Sequence, residues 1–179
     1  MNLDYRTKTH SRQADLEEII RAASAPKPET LAGWEFRGYN VPWFTKLLGI
    51  QKFIKGYFPA GPGRVEGYNI PVRQNGFENP WEHLPDADAP KRFGFYKVLP
   101  FDPAARDNYY PASILLNYGA SAHNPFYRVE RVIRDYLVQP DPKNPDIVLG
   151  KAYLALAPGA RVFSNFFVLE RLRKTEWKP

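Results

Sequence analysis

The chain has 179 residues, no cysteine, a net charge of +6 and a mean hydropathy of −0.50. A chain of this length can bury a core of its own, and the lack of cysteine excludes disulfides, thiolate metal ligands and a cysteine nucleophile. The basic residues are scattered. Their tightest group is Arg171, Arg173, Lys174 and Lys178, which a solvated tail explains better than a nucleic-acid surface.

The N-terminal region has no apolar stretch behind a basic start, and nowhere does the chain hold a run of about 18 apolar residues. We therefore expect no cleaved signal and no membrane span. The absence of cysteine favours a reducing compartment, so the predicted location is cytoplasmic.

Two short helices are predicted near the N-terminus. Leu16, Ile19, Ile20 and Ala23 follow the i, i+3, i+4, i+7 spacing of one helix face, and the prolines at 26 and 28 end that helix. The second helix is predicted over Pro42 to Leu48, before Gly49. We expect residues 1–28 to form a tail and helix, and residues 29–179 to form the rest of a single domain.

After residue 33 the sequence breaks into eight short runs rich in aromatic and β-branched residues, each closed by Pro, Gly or Asn. Runs of this size and spacing are typical of an all-β sandwich or barrel. The runs are Trp34 to Asn40, Phe53 to Phe58, Arg64 to Val72, Arg92 to Phe101, Ala112 to Tyr118, Val129 to Val138, Ile147 to Leu156 and Val162 to Leu172.

Alternation within the runs favours a closed barrel over a sandwich. Successive side chains of a strand face opposite sides, and in residues 92–98 and 162–172 both sets are half apolar. A barrel with a filled or ligand-holding interior and a helix packed outside has apolar residues on both faces of its strands. A sandwich with one solvent-exposed face shows this pattern less strongly. The predicted fold is all-β, an antiparallel barrel of about eight strands with an N-terminal helix.

The segment 75–90 carries prolines at 80, 85 and 90 among acidic residues. It is predicted to be a long loop, and loops of this length in compact domains often act as functional lids.

The sharpest candidate site lies in the run 129–138. Arg134 and Tyr136 share one face of a strand and Asp135 takes the other. An inward arginine beside a tyrosine can hold a carboxylate while apolar walls bury the rest of the ligand. The competing interpretation is an outward arginine with a solvated head group. Further candidate ligand-binding residues are Trp34, Tyr118, Tyr153, Asn165 and Phe167.

Other chemistries have little support. The three histidines, His10, His83 and His123, are dispersed, and the aspartate-rich turns lack the spacing of a calcium loop. Neither a phosphate-binding loop nor a Gly-x-Ser-x-Gly elbow occurs. We therefore predict no metal, no cofactor and no catalytic residue.

Several stretches resemble a known family. Residues 31–38, which hold Gly33 and Trp34, and residues 47–58 resemble the Gly-x-Trp-x-Gly domain. The C-terminal half, including Asn124-Pro125 and the run 166–171, resembles the domain of unknown function that usually follows it. The resemblance implies a small lipocalin-type (calycin) barrel for hydrophobic ligands, without an established activity. Related haem-binding barrels use a histidine on a late strand, and no predicted strand here contains one.

These observations favour a binding or carrier protein that encloses a small hydrophobic ligand, with acids among the candidates. The first alternative is a barrel enzyme, such as an isomerase, cyclase or hydratase, that uses Asp135, Tyr136 or His83 as acid or base. The second is an interaction module that contacts a protein or nucleic acid through Phe77, Trp81 and the basic tail, although nucleic-acid binding has little support. The sequence leaves the oligomeric state open.

Overall fold

The computed structural model describes residues 4–41, 44–105 and 109–179, and within them eight strands form a closed barrel. Each strand pairs antiparallel with the next, and β8 pairs with β1 to close the barrel. The predicted fold class is confirmed. The strands are β1 (Trp34–Asn40), β2 (Lys52–Pro59), β3 (Val65–Pro71), β4 (Phe93–Leu99), β5 (Ile114–Asn117), β6 (Ile133–Val138), β7 (Ile147–Ala157) and β8 (Ala160–Lys174).

Four short helices accompany the barrel. They are α1 (Tyr5–Thr9), α2 (Gln13–Ala22), α3 (Pro28–Leu31) and α4 (Phe44–Leu47). The predicted first helix is α2, which buries Leu16 and Ile20 on its apolar face. The predicted second helix corresponds to α4, although Pro42, where it was expected to begin, lies outside the described residues.

Only β1 keeps both predicted boundaries, and the other seven strands are shifted at one or both ends. Residues 129–132 form a 3-10 turn rather than the start of β6, so the strand begins at Ile133. Strand β8 is longer than its apolar run and begins at Ala160, directly after the tight turn that joins it to β7.

One buried cluster takes residues from all eight strands, and only the inside of the barrel can bring such residues together. We call it the interior cluster. Helix α3 seals one end, where Leu31 packs against this cluster and is 1% exposed. The cluster consists of Leu31, Phe36, Tyr57, Val65, Tyr96, Val98, Ile114, Leu116, Tyr118, Leu137, Val148, Ala152, Phe167 and Leu169.

Glycine lets two interior rings lie flat against the barrel wall. A Cβ atom on Gly150 would lie 2.1 Å from the Phe167 ring, and one on Gly38 would lie 2.3 Å from the Phe53 ring. The two rings meet edge to face at 5.7 Å. Any larger residue at either glycine would therefore push an aromatic ring toward the barrel axis.

The outer wall carries two further apolar clusters, each covered by chain from outside the sheet. One packs beneath α1 and α2 and includes Tyr136, Leu149 and Val168. The other contains Tyr68 and is covered by the C-terminal Trp177, whose ring centroid lies 4.7 Å from that of Tyr68. Because both faces of the sheet are covered, both faces of the strands are apolar.

The predicted long loop lies between β3 and β4 and is held to the barrel by Lys52. The Lys52 ammonium donates hydrogen bonds of 2.6–3.1 Å to the side chain of Asn75 and to the backbone carbonyls of Gly76, Asn79 and Pro80. It also lies 4.0 Å from the centroid of a Trp81 ring. The loop thus folds around one cation of the barrel.

Candidate functional site in the barrel interior

Four polar side chains form a connected group inside the otherwise apolar barrel, and we call them the Lys55 group. Lys55 comes from β2, Asn69 from β3, Asp135 from β6 and Tyr118 from the turn after β5. Strand alternation places Lys55 between Phe53 and Tyr57 on the inner face. The group therefore gathers polar atoms from distant parts of the sequence.

The hydrogen bonds of the group are short and mutually supporting. The Lys55 ammonium lies 2.9 Å from Asp135 Oδ2 and donates to Asn69 Oδ1 at 3.0 Å and to the Tyr118 hydroxyl at 2.5 Å. Tyr118 in turn donates to Asp135 Oδ2 at 3.0 Å. The side chains of Lys55 and Asp135 are each 3% exposed. An ion pair buried this deeply is stable only with such additional bonds.

Aromatic rings surround the ammonium. Its nitrogen lies 4.8 Å from the ring centroid of Tyr96, 5.1 Å from that of Tyr118 and 5.3 Å from that of Phe167. Ring faces are electron-rich and attract cations over such distances. The site therefore combines a charged pair with an aromatic enclosure.

Burial sets the direction of the pKa shifts in this group. It lowers the pKa of Lys55, and the nearby Asp135 carboxylate opposes that effect. Burial also raises the pKa of Tyr118 well above its ordinary value, and Asp135 adds to the increase. Tyr118 consequently keeps its proton at neutral pH and remains a hydrogen-bond donor.

The two ends of the barrel differ in the segments that cover them. At one end α3 packs against the interior cluster, and Ala32 and Trp34 beside it are partly buried. At the opposite end, Phe53 and Ile133 pack against the cluster and are also partly buried. We call this second end the rim.

Three of the sequence-predicted site residues lie inside the barrel near the Lys55 group or the rim. Tyr118 belongs to the Lys55 group, and Phe167 contributes a ring to its aromatic enclosure. Asn165 is buried near the rim, where it donates a 2.7 Å hydrogen bond to the Asn40 side chain. Trp34 packs against the interior cluster at the end that α3 seals.

The other three predicted residues lie on the outer wall. Tyr136 packs in the cluster beneath α2, where Tyr153 also lies. Arg134 shares the outward face with Tyr136 and donates 2.8 Å hydrogen bonds to the carbonyls of Arg131 and Ile133. The expected inward orientation of Arg134 and Tyr136 thus differs from the structure, in which the intervening Asp135 faces inward. Their role in ligand binding stays a prediction.

Lys55 and Asn69 were missed by sequence reasoning. Phe53, Lys55 and Tyr57 lie two residues apart and therefore share one face of β2. A lysine between two aromatic residues on one face indicates a buried lysine with a partner, so the sequence contained a sign of this residue. Asn69 lies beside Tyr68 in a run without a comparable contrast, so nothing in the sequence marks it.

The alternative acid or base His83 lies outside the barrel, in the long loop itself. The Arg173 guanidinium contacts its ring at 2.6 Å and also donates a 2.8 Å hydrogen bond to Glu35. Burial lowers the pKa of His83, and the adjacent Arg173 lowers it further. This cluster fastens the loop and the C-terminal segment to β1, away from the Lys55 group.

Phe77 and Trp81, the residues proposed for an interaction surface, pack inward against α1. The Phe77 ring stacks on the Tyr5 ring with a centroid distance of 5.6 Å. The Trp81 ring meets the same Tyr5 ring edge to face at 6.4 Å. The large apolar residues that are exposed lie elsewhere, mostly at the rim.

In residues 4–41, 44–105 and 109–179, no three His, Asp or Glu side chains are arranged to hold a metal ion. No helix in this described part of the chain is long and apolar enough to cross a membrane.

Comparison of the chain with known protein families, with curated proteins and with solved structures finds no match. The closed eight-stranded antiparallel barrel is compatible with a lipocalin-like fold, whereas the resemblance to the Gly-x-Trp-x-Gly domain stays a prediction.

Proposed function

We propose that the protein binds a small hydrophobic molecule inside the barrel and that the Lys55 group contacts a polar, uncharged atom of this ligand. The observation that carries the proposal is a hydrogen-bonded set of four polar side chains within an apolar, aromatic interior. Ligand sites commonly combine apolar walls with a few convergent polar groups. This proposal keeps the expected carrier function and places its polar contact on Lys55, Tyr118 and Asp135.

The charge of the group favours an uncharged ligand. Lys55 already contacts Asp135 at 2.9 Å, so the pair brings no net charge into the interior. A carboxylate placed there would lie beside Asp135 and share Lys55 with it, which is unfavourable in a low-dielectric environment. A ligand hydroxyl, by contrast, donates to Asp135. A ligand carbonyl oxygen accepts from Lys55 or Tyr118 by replacing one of the hydrogen bonds within the group, because the three N–H donors of Lys55 and the O–H of Tyr118 are already used there.

The test compares a fatty alcohol, a methyl ketone and a carboxylic acid of one chain length by calorimetry. We expect the alcohol and the ketone to bind more tightly than the acid. Tyr118→Phe keeps the ring and the ion pair but removes the hydroxyl, so it should weaken the alcohol and the ketone about tenfold, as expected for one lost hydrogen bond. Tyr109→Phe is the control, because that hydroxyl bonds Gly159 far from the Lys55 group.

The same panel tests the earlier acid-binding prediction. If Arg134 anchors an acid, the carboxylic acid should bind best and Arg134→Leu should weaken it selectively. That result, or no binding by any member of the panel, would contradict the interior site. Unchanged affinities in Tyr118→Phe would contradict it as well.

An enzyme that acts on the same ligand is the second candidate. Asp135, Tyr118 and Lys55 exchange hydrogen bonds and are groups that transfer protons in catalysis. Proposed roles for Tyr136 and His83 fit less well, since both lie outside the interior. Incubation of a bound alkenone with the protein in deuterated water tests this candidate: exchange or isomerisation that Asp135→Asn abolishes would support it, and unchanged ligand would contradict it.

A further inference from the structure

The exposed large apolar side chains concentrate in three of the four connections at the rim. These connections are the β1–β2 segment 41–51, the β5–β6 segment 118–132 and the β7–β8 turn with its flanking residues 155–163. Phe126 is 90% exposed, Val129 79% and Leu47 76%. Among the side chains of these connections that the structure describes, the exposed large apolar ones are Leu47, Leu48, Ile50, Phe126, Tyr127, Val129, Leu156, Val162 and Phe163.

The three connections adjoin one another because of the order of the strands. The β1–β2 segment leaves the barrel beside β8, where the Val41 N–H donates to the Phe166 carbonyl at 3.0 Å. The β5–β6 segment ends beside β7, where Ile133 pairs with Leu154. The β7–β8 turn therefore projects between the other two connections, so the strand order places the apolar residues of all three along one side of the rim. Contiguous exposed apolar surface usually marks a site of association.

Charge identifies the kind of partner. By sequence, the three connections contain the basic residues Lys46, Arg128, Arg131 and Arg161 and a single acidic residue, Glu130, a net charge of +3. The fourth connection at this end, residues 72–92, has three basic and four acidic residues, so the four connections together carry +2, and it folds down the outer wall, where His83 meets Glu35 of β1. If a second copy docked on the same surface, two positively charged surfaces would face each other, which disfavours self-association. Apolar and aromatic side chains interspersed with arginines are the combination that binds at the interface of an anionic bilayer.

We propose that the rim docks on the surface of an anionic lipid bilayer. The apolar side chains of the three connections enter the headgroup region, while the basic residues contact the lipid phosphates and carboxylates. This docking would turn the rim of the barrel toward the lipid. The inference stands independently of what the interior binds, because it rests only on exposure and charge at the rim.

The experiment measures flotation of the full chain with vesicles of phosphatidylcholine alone or with added phosphatidylserine. We expect binding to the anionic vesicles that weakens with salt, and little binding to the neutral ones. Phe126→Ser combined with Leu156→Ser should abolish flotation. Leu172→Ser is the control, because Leu172 is also exposed but lies toward the opposite end of β8.

A second pair of variants tests the charge. Arg161→Gln at the rim should lower vesicle binding about fivefold, the factor expected per basic residue near an anionic surface. Arg64→Gln, which alters an exposed arginine between β2 and β3 at the opposite end, should leave it unchanged. Circular dichroism spectra of all variants identify any loss of fold.

Three results would overturn the proposal. The first is that the wild-type chain fails to float with anionic vesicles. The second is that the rim variants and their controls lose binding equally. The third is that light scattering shows a dimer that Phe126→Ser with Leu156→Ser dissociates, because the rim would then be covered by a second copy.

Discussion

At the scale of single residues, Lys55 and Asp135 are the most consequential pair in the barrel. Their side chains approach to 2.9 Å with almost no exposed surface. A buried ion pair contributes little net stability relative to apolar residues of similar volume, but loss of one partner leaves an uncompensated charge. The pair is therefore vulnerable to a single substitution and tolerant of a matched double substitution.

Lys55→Met is expected to lower the free energy of unfolding by about 3–5 kcal/mol, because it leaves Asp135 buried without its cation. Lys55→Met combined with Asp135→Leu should recover most of that loss. Urea denaturation followed by circular dichroism measures both. Lys178→Met, at an exposed lysine near the C-terminus, is the control. A double variant no more stable than Lys55→Met would show that the ion pair itself stabilises the fold.

At the scale of elements, helix α2 is attached to the barrel by a second buried lysine. The Lys151 ammonium donates to Glu17 of α2 at 2.6 Å and to the Tyr110 hydroxyl at 2.5 Å. Burial alone would lower the pKa of Lys151, but its bonds to Glu17 and the tyrosines outweigh burial and raise it. For Glu17, burial would raise the pKa, and its contacts with Lys151 and Arg21 lower it.

These shifts define the pH range in which α2 is held most firmly. The contribution of Glu17 is fully present above the ordinary glutamate pKa of 4.5 and is lost as the pH falls through its lowered pKa. The contribution of Lys151 is fully present below the ordinary lysine pKa of 10.5 and is lost as the pH rises through its raised pKa. Neutral pH lies inside this range.

Glu17→Gln is expected to reduce the free energy of unfolding at pH 7 by about 1–3 kcal/mol, since Lys151 loses a charged hydrogen-bond partner. The decrease in stability between pH 5 and pH 3, measured by urea denaturation at each pH, should become shallower in the variant. Glu18→Gln, on the exposed face of α2, is the control. An unchanged acid dependence in Glu17→Gln would rule out this carboxylate as its source.

At the scale of the whole molecule, closure links every strand to two neighbours. No strand can leave without breaking two ladders of backbone hydrogen bonds, so partial unfolding of the sheet is costly. The outer segments depend on the barrel in turn, since α2 and Trp177 pack on its wall.

We therefore expect one cooperative unfolding transition. Tryptophan fluorescence and far-ultraviolet circular dichroism should give the same midpoint in urea, although Trp34, Trp81 and Trp177 report from different places in the fold. Trp34→Phe and Trp81→Phe separate the signal of the sealed end from that of the long loop. A fluorescence midpoint at clearly lower urea than the circular dichroism midpoint would contradict the single transition.

The architecture could be predicted from the sequence because strand length, alternation and turn residues are local properties. The orientation of the strands could not, because both faces are apolar. In β6, hydrophobicity favours an inward Tyr136, yet Asp135 faces inward because Lys55 meets it across the barrel. That partner lies 80 positions away in the sequence and becomes visible only through the register of β2, β3 and β6.

Closure also has a consequence for how the length of this chain can vary. In a closed sheet the last strand must pair with the first in a matching register. The number of strands, their tilt and their stagger are therefore linked. An extra residue within a strand turns every side chain after it to the other face of the sheet. A closed sheet has no free edge, so the change in register would affect the neighbouring strands as well. Insertions and deletions should therefore accumulate in connections such as residues 73–92, while the lengths of the eight strands stay fixed among descendants of this sequence.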